Sequence, residues 1–374
     1  MKLAYVCLDR GIPLLGHKGA SVHVRAISAA LGARGHEVVV ACARVGEGNP
    51  APAVHEIVEV GPSAGEEQME RLLRLSGAEA VVERYALESG PTRGASARLG
   101  LPHILEVNAP LVWEAHRHRG LADLTPALER ERWIFARADV IAVVSRALVG
   151  YVRTVAPAAQ VEWVPNGVDC DRFAAAAPAR LPVPAGSVVV GFVGSMKAWH
   201  GVDDLVTAFG SLLPAAHNAH LVLAGSGPEE ATVAARVQSD PVLRERIHLL
   251  GALRHDLVPS LLAAVDVGAA PYRPSDDFYF CPLKALEYLA AGVPTVHPGL
   301  GDLPELVGDA GLAYPAGDTS ALASVLGRLI ADVRLRAELA TRAGRRARLW
   351  TWDRAAQRLE DMVRASLPTP TGAA

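Results

Sequence analysis

The chain alternates between short apolar runs and amphipathic helical stretches from its first residues. The run EVVVACA is an unbroken series rich in β-branched residues, which is typical of strands buried on both faces of a parallel sheet. Between them, apolar residues recur at helical spacing, as at Val24, Ile27 and Leu31. The strands predicted in the first half are LAYVCL, EVVVACA, AVVERY, PHILEVN, VIAVVS and VEWVPNG. This alternation predicts a doubly wound α/β domain.

A second series of the same kind follows the proline-rich stretch ARLPVPAGS, which we interpret as a linker. Its predicted strands are VVVGFVGS, HLVLAGSG, RIHLLG, VGAAP and TVHP. The arginine-rich end is helical, with a break near Thr351. We therefore predict a first domain over 1–172, a linker over 173–186, a second domain over 187–349, and a final helix and tail over 350–374. A chain of 374 residues allows each domain a core of its own.

Composition excludes several classes of protein. Half of the residues are apolar and the net charge is −3, so there is no electrostatic footprint for nucleic acid. The amino terminus does not resemble a secretory signal, and no apolar run is long enough for a bilayer. The four cysteines form no CxxC pair, which argues against a metal site and a disulfide framework. We expect a cytoplasmic protein with reduced thiols.

The stretch 274–292 carries the strongest candidate chemistry. A loop with Asp276 and Asp277 leads through aromatic residues to Pro282, and a helix follows from Leu283. The first amides of such a helix and its dipole favour an anion, and a diphosphate is the natural ligand. Glu287 on this helix is either an exposed surface charge or an acceptor for ribose hydroxyls.

Two further strand–turn–helix junctions lie in the second half. In VGFVGSMKAWHG, Gly194 permits close backbone approach, and Lys197 and His200 can direct a cation or a donor at phosphate oxygens. LVLAGSGPE repeats the pattern with Gly225 and Gly227, although glycine at such a turn is a weak signal alone.

A third glycine turn, GHKGA, follows the first strand and contains Gly16, Lys18 and Gly19. Its spacing differs from GxGxxG, which argues against a nicotinamide or flavin enzyme. VPNGVD predicts a turn whatever the function. ILEVNAP places Asn108 at a strand end, and residues 111–137 mix basic, acidic and aromatic side chains. That mixture indicates a solvated helix face or, alternatively, a contact with an acceptor or a membrane surface.

In this order the motifs resemble those of the retaining, sugar-nucleotide-dependent GT-B glycosyltransferases of family 4. The matching segments include GHKGASVHV, LEVNAPLVWEAHRHRGL, VPNGVD, GFVGSMKAWHGVDDL, LVLAGSGPE and APYRPSDDFYFCPLKALEYLAAGVPTV, and they span nearly the whole chain. The resemblance implies two Rossmann-like doubly wound domains facing across a cleft, with the C-terminal helix crossing back to the first domain. It also implies a nucleoside diphosphate held by the second domain.

The resemblance also assigns roles to residues. Glu287 matches the second glutamate of the E-x7-E pattern of the family, where ribose hydroxyls are held. Tyr279 stands in place of the first glutamate, so Asp276 or Asp277 is left to contact the sugar. The implied catalytic residues are Lys197, His200, Gly16, Lys18 and Gly19. The implied donor-binding residues are Glu287, Gly194, Ser195, Gly225, Leu253, Tyr279, Phe280, Cys281, Pro282, Leu283 and Lys284. The implied acceptor-side residues are Asn108, Arg84, Asp276 and Asp277.

The resemblance implies transfer to a hydroxyl acceptor by a front-face mechanism, without a cofactor or metal. We expect UDP as the carrier, with GDP next, and a small-molecule or glycan acceptor. Two alternatives are a nucleotide-sugar epimerase of the same fold and a non-enzymatic nucleotide- or sugar-binding protein. A dehydrogenase is a third alternative, which failure to bind nicotinamide cofactors would dismiss.

Overall fold

The chain forms two compact units, each made of non-contiguous segments. The computed structural model describes residues 1–16, 18–48, 53–61, 64–274 and 278–367. The first unit contains Met1–Asn166, Tyr279–Cys281 and the segment from Trp352 onward, and the second contains Gly167–Phe278 and Pro282–Thr351. Residues 173–186, our predicted linker, fall within the second unit.

The first unit is built on a seven-stranded parallel sheet in the order β3-β2-β1-β4-β5-β6-β7. Six of its strands coincide with the predicted apolar runs, and β3 was not predicted because its EIVE sequence is short and carries two charges. The strands are β1 Lys2–Cys7, β2 Glu37–Cys42, β3 Glu56–Glu59, β4 Ala80–Arg84, β5 His103–Val107, β6 Val140–Val143 and β7 Val161–Trp163.

Helices cover both faces of this sheet, as expected where every strand connection is a crossover. They are α1 Gly19–Ala33, α2 Glu66–Ser76, α3 Gly90–Leu99, α4 Leu111–His118, α5 Thr125–Phe135 and α6 Arg146–Val155. Because side chains alternate along a strand, β1 contributes Leu3 and Tyr5 to one core and Ala4 and Val6 to the other.

The second unit repeats the design with a six-stranded sheet in the order β10-β9-β8-β11-β12-β13. Its strands are β8 Val188–Val193, β9 Ala219–Ala224, β10 Ile247–Gly251, β11 Val267–Ala269, β12 Thr295–Pro298 and β13 Gly311–Tyr314. Its helices are α7 Cys170–Ala174, α8 Val202–Leu212, α9 Glu230–Ser239, α10 Pro241–Arg246, α11 Val258–Leu262, α12 Leu283–Ala290, α13 Leu303–Val307, α14 Thr319–Ala331 and α15 Val333–Ala347. Single 3₁₀ turns lie at Ala198–His200, His255–Leu257 and Gly308–Ala310.

The last helix, α16 Trp352–Ser366, belongs to the first unit and packs against α1. Its apolar face completes the core with Leu359, Met362 and Val363. The predicted fold, two doubly wound α/β domains with a final helix that returns to the first, is therefore confirmed. The predicted break near Thr351 is where α15 has ended and α16 begins.

A carboxylate at the contact between α16 and α1 makes part of this packing dependent on pH. Arg34 donates to Glu360 at 2.8 Å, Arg364 donates to it at 2.7 Å, and these bonds lower the pKa of Glu360 to about 2. A lowered folded-state pKa stabilises the fold above the ordinary value of 4.5, and this contribution is lost as the pH falls towards 2.

We therefore expect Glu360→Gln to lower the midpoint of thermal unfolding at pH 7 but not at pH 2. The expected decrease is about 2–4 °C, corresponding to roughly 1 kcal/mol once solvent screening is allowed for. Circular dichroism at the two pH values measures it, with Glu338→Gln, on the exposed face of α15, as the control. An equal decrease at both values would contradict the assignment.

Candidate functional site

Glycines at the carboxyl ends of β8 and β9 bring the two backbones into direct contact. Gly194 and Gly225 follow these strands with φ of +139° and +142°. A Cβ atom on Gly225 would lie 1.8 Å from the carbonyl oxygen of Gly194, so no side chain fits there. Gly227 has a φ of +159°, and a Cβ atom there would lie 2.7 Å from the backbone nitrogen and oxygen of Met196. This edge of the sheet is where doubly wound folds bind ligands.

Lys284, in the first turn of α12, is the most unusual charged group at this edge. It is only 7% exposed, and its Nζ has no hydrogen-bond partner among the described residues. The ammonium lies 3.9 Å from the ring centroid of Phe192 and 5.0 Å from that of Tyr272. Burial lowers the pKa of Lys284 to about 7, against the raising effect of Glu287. Within the described ranges, the ammonium therefore has no hydrogen-bonded anion, and Glu287 compensates its desolvation only in part.

The position of Lys284 follows from the topology. The order of the second sheet reverses between β8 and β11, and α12 lies between β11 and β12 in the chain. A Cβ atom on Gly194 would lie 3.0 Å from the Nζ of Lys284, so the amine rests against the backbone at the end of β8. No side chain caps α12, whose N-cap residue is Pro282. A buried cation and uncapped first-turn amides thus occupy the switch point of the sheet.

Glu287 lies one turn further along α12. It is 9% exposed, and its Oε1 lies 2.8 Å from the Nε2 of His255, so the alternative of an exposed surface charge is wrong. The carbonyl of His255 accepts a bond from Arg172 at 2.9 Å, which fixes the loop that carries the histidine. Leu253, in the same loop, is half-buried. The second oxygen of Glu287 leaves an acceptor for a ligand hydroxyl.

The loop after β8 separates Lys197 from His200. Lys197 is exposed, and its Nζ lies 4.7 Å from the ring centroid of Trp199. His200 turns inward, where its Nδ1 bonds to the carbonyl of Ser195 and lies 3.3 Å from the Ser195 hydroxyl. Burial, with the charge of Lys284, lowers the pKa of His200 to about 3. His200 is therefore neutral at pH 7, so it does not supply the cation that was one of its two expected roles, and the role of hydrogen-bond donor stays a prediction.

Three of the predicted donor-binding residues, Tyr279, Phe280 and Cys281, belong to the first unit, whereas Pro282, Leu283 and Lys284 belong to the second. The Tyr279 hydroxyl donates to Glu114, and its carbonyl accepts a bond from Ser145. Burial and Glu114 raise the pKa of Tyr279. Phe280 packs edge-on against Tyr279, with ring centroids 6.0 Å apart. The carbonyl of Cys281 accepts a bond from Asn166 at 3.0 Å.

The first glycine turn precedes α1 in the first unit. Gly16 is closely packed, because a Cβ atom there would lie 2.7 Å from Pro13. Arg25 donates to the carbonyl of Gly16 at 2.7 Å. Lys18 is the N-cap residue of α1 and reaches the carbonyl of Gly11 at 3.5 Å, while Gly19 begins the helix. These contacts hold the backbone of Gly16 and the side chain of Lys18.

A buried polar chain lies beside this turn. Glu106 contacts His23 at 2.5 Å and Arg84 at 3.5 Å, and the Nδ1 of His23 lies 2.7 Å from the side-chain oxygen of Asn166. Burial raises the pKa of Glu106, but His23, Arg84 and Asn108 lower it further, so it stays below the ordinary value. The predicted acceptor-side residues Arg84 and Asn108 thus hold an internal carboxylate. The side-chain oxygen of Asn108 is buried and has no hydrogen-bond partner among the described residues.

Reasoning from the sequence missed several of these groups. His23 and His255 carry no local motif, and Asn166 was interpreted only as a turn residue although its side chain links His23 to Cys281. Asp276 and Asp277 lie outside the described residues. Within the described ranges, no cluster of three or more histidine, cysteine or acidic side chains has the geometry of a metal site.

Comparisons with protein families match both halves of the chain. The family described as Glycosyltransferase Family 4 matches residues 17–172, and the one described as Glycosyl transferases group 1 matches residues 187–332. The first match covers β2 to β7 and the second covers β8 to β13, so β1, α15 and α16 lie outside both.

Curated relatives carry related names. The D-inositol 3-phosphate glycosyltransferase of Salinispora tropica is 32% identical over 255 residues, which is 62% of this chain and 52% of that protein. The chain thus matches about half the length of that relative. The GDP-mannose-dependent alpha-(1-6)-phosphatidylinositol monomannoside mannosyltransferase of Mycolicibacterium smegmatis is 30% identical over 267 residues, or 68% of this chain and 69% of that one.

Solved structures share the fold. Sucrose-phosphate synthase from Thermosynechococcus elongatus superposes with a TM-score of 0.74 at 20% identity, covering 98% of this chain and 99% of its own. At this identity the similarity concerns the fold alone. Among the described helices, none has the length and apolar character needed to cross a bilayer.

Proposed function

Because this chain belongs to the glycosyltransferases of family 4 and has their two-domain GT-B fold, we propose that it transfers a sugar from a nucleoside diphosphate sugar to a hydroxyl acceptor. The donor is held by the second unit, at the switch point between β8 and β11. The sugar keeps its anomeric configuration, and no cofactor takes part. A nucleotide-sugar epimerase would use the same donor without an acceptor.

The buried ammonium of Lys284 carries this proposal. Its desolvation is costly, Glu287 offsets that cost only in part, and no anion is hydrogen-bonded to it within the described residues. A diphosphate at the uncapped start of α12 would supply such an anion. Glu287, three residues further along the same helix and oriented by His255, would accept bonds from ribose hydroxyls. A cation for phosphate and a carboxylate for ribose on one helix suit a nucleoside diphosphate.

In the proposed reaction, the bond between the anomeric carbon and the departing phosphate oxygen breaks. The acceptor oxygen bonds to the same face of that carbon, and its proton passes to the departing oxygen. The residues of this chain orient the diphosphate and stabilise the negative charge that grows on it. We assign this role to Lys284, to the amides of Leu283 and Lys284, and to Lys197. His200, which is neutral, would help to shape the loop that carries Lys197.

Calorimetry and thermal-shift measurements with UDP, GDP and ADP test the donor site. One of the three is expected to raise the unfolding midpoint by about 5 °C or more at a hundredfold excess over its Kd. Glu287→Gln is expected to weaken the binding of that nucleotide while leaving the binding of inorganic pyrophosphate unchanged. We expected UDP before GDP, and the name of the Mycolicibacterium relative favours GDP, so both are included. No response to any of the three would overturn the proposal.

Lys197→Ala provides a second test. We expect turnover to fall at least about a hundredfold, because a donor aimed at developing charge contributes about that much. The fold should be unaffected, since Lys197 is exposed. Initial rates with the identified donor, alongside an unchanged circular dichroism spectrum, measure this. Near-normal turnover would exclude Lys197 from the reaction and leave Lys284 as the cation.

A further inference from the structure

The loops that follow the neighbouring strands β8 and β11 are in direct contact. The backbone amide of Arg273 donates to the carbonyl oxygen of Trp199 at 3.0 Å. Gly201 has a φ of +64°, and a Cβ atom there would lie 1.9 Å from the carbonyl oxygen of Pro271. The two loops are therefore packed backbone to backbone, at a distance that only glycine permits.

The side chain of Arg273 reinforces this contact. Its Nε donates to Oδ2 of Asp204 at 2.6 Å, and its Nη2 donates to Oδ1 of the same carboxylate at 2.8 Å. Asp204 lies in the first turn of α8, directly after the loop that follows β8. Two parallel bonds of this kind fix the plane of the guanidinium as well as its distance from the carboxylate. A partly exposed ion pair contributes measurably when it has this bidentate geometry.

The charges around Arg273 argue against a direct contact between its guanidinium and an anion. Both oxygens of Asp204 engage the guanidinium, and Oδ2 of Asp203 lies 4.0 Å from its Nη2. Arg236, on α9, donates to the other oxygen of Asp203, so two guanidinium groups and two carboxylates form a cluster without net charge. Arg273 is therefore suited to hold the loop after β11 rather than to attract a phosphate.

The residue before Arg273 is Tyr272, whose buried ring lies against Lys284. The Nζ of Lys284 is 5.0 Å from the ring centroid of Tyr272 and 3.9 Å from that of Phe192. The ring of His200 packs edge-on against Tyr272, with centroids 5.2 Å apart. Phe192 belongs to β8 and is held by the sheet, whereas Tyr272 lies in the loop after β11. The position of its ring therefore depends on the backbone that follows it, which Arg273 anchors.

We propose that the ion pair between Arg273 and Asp204 positions the ring of Tyr272 against Lys284, and thereby fixes the ammonium where the diphosphate binds. Resting on the proposed function, this inference makes Arg273 a positioning residue for the transfer. A lysine side chain is flexible, and a cation–π contact orients its ammonium without using its hydrogen-bond donors. The N–H groups of Lys284, which have no partner in the part of the chain that the structure describes, thus stay available to phosphate oxygens.

NMR of the chain labelled with ¹³C-lysine tests the positioning without any ligand. The sequence has four lysines, and Lys284→Met assigns the signal of interest. Ring currents of the two neighbouring aromatic rings should displace the methylene proton signals of Lys284 from their ordinary position. Arg273→Gln and Asp204→Asn should each move these signals back towards that position. Arg236→Gln is the matched control and should not move them, because its guanidinium bonds to Asp203 and not to the loop after β11.

Calorimetry with inorganic pyrophosphate measures the consequence for the site. Arg273→Gln should weaken binding about tenfold, the effect of losing one desolvated cation–π contact, and Tyr272→Leu should do the same. The double variant should bind no more weakly than Tyr272→Leu alone, because Arg273 acts through that ring. If Tyr272→Leu does not fold, Asp204→Asn replaces it in the comparison, and Arg273→Gln should again add nothing to its effect.

The outcomes separate this inference from the proposed function. Lysine signals or pyrophosphate affinity that Arg273→Gln leaves unchanged would overturn the inference while the donor site stands. Additive losses in the double variant would also overturn it, because they would indicate that Arg273 contacts the anion directly. If the signals of Lys284 move as expected but the unaltered chain binds neither pyrophosphate nor a nucleotide, the positioning of Lys284 is supported and the proposed function fails.

Discussion

Replacing Lys284 by methionine is expected to lower kcat/KM about 10²–10³-fold while making the unligated chain more stable to heat. The loss of activity follows from removing a buried charged donor at the point where charge develops. The gain in stability follows because methionine fills a similar volume without the cost of burying a cation. If Lys284 served only to support the fold, its replacement by methionine would lower the stability of the chain instead of raising it. Lys2→Met, which changes an exposed lysine on β1, is the control.

The pH dependence of the intact chain follows from the same group, whose pKa is about 7 in the folded chain and 10.5 ordinarily. Below pH 7 the lysine is charged in both folded and unfolded chains, and the full cost of burial applies. Between pH 7 and 10.5 it is neutral only when folded, so stability rises with pH. Lys284→Met should remove this rise.

Binding of a diphosphate should depend on pH in the opposite direction. The anion favours the ammonium form, so affinity should fall as the pH rises above about 7, and binding at pH 8 should take up a proton. Calorimetry in two buffers of different ionisation enthalpy measures this uptake. Affinity that does not change between pH 6.5 and 8.5 would contradict the role of Lys284.

The second large effect is expected in the centre of the first sheet, from Glu83→Leu. Glu83 on β4 and His103 on β5 are both fully buried, with 2.8 Å between the carboxylate and the Nε2 of the imidazole. Removing one partner leaves the other buried without compensation, and we expect a loss of about 3–5 kcal/mol in the free energy of unfolding. Urea denaturation measures it.

The double variant Glu83→Leu with His103→Leu should recover most of that loss. The second atom of each group, Oε1 of Glu83 and Nδ1 of His103, is already buried without a hydrogen-bond partner among the described residues. Two leucines therefore lose little beyond the single hydrogen bond between Glu83 and His103. If the double variant is as unstable as Glu83→Leu alone, the cost comes from packing rather than from the stranded partner.

The fold could be predicted largely from local pattern, and the missed strands show the limit. Buried parallel strands such as EVVVACA are continuous apolar runs, which short stretches of sequence reveal directly. EIVE and GLAY are edge strands of four residues, covered on fewer sides, and their mixed composition carries no such signal. Their pairing depends on the neighbouring strand rather than on their own sequence.

The site was predicted less completely, because its chemistry depends on burial. The sequence places Lys197 and Lys284 equally well at strand–helix junctions, and only the structure shows that one is exposed and the other desolvated. Likewise, the sequence predicts a continuous loop up to Pro282, yet residues 279–281 belong to a different unit from the helix that follows. A histidine such as His255 gains its role from a partner 32 residues away.

The return of α16 to the first unit has a consequence for biosynthesis. Leu359, Met362 and Val363 fill a core whose other members, such as Leu3 and Tyr5, are synthesised before the whole of the second unit. The second unit has left the exit tunnel before α16 is available to complete the core of the first unit. The core of the first sheet therefore stays incompletely packed while the second unit is synthesised. During this interval the nascent chain exposes apolar surface that chaperones bind.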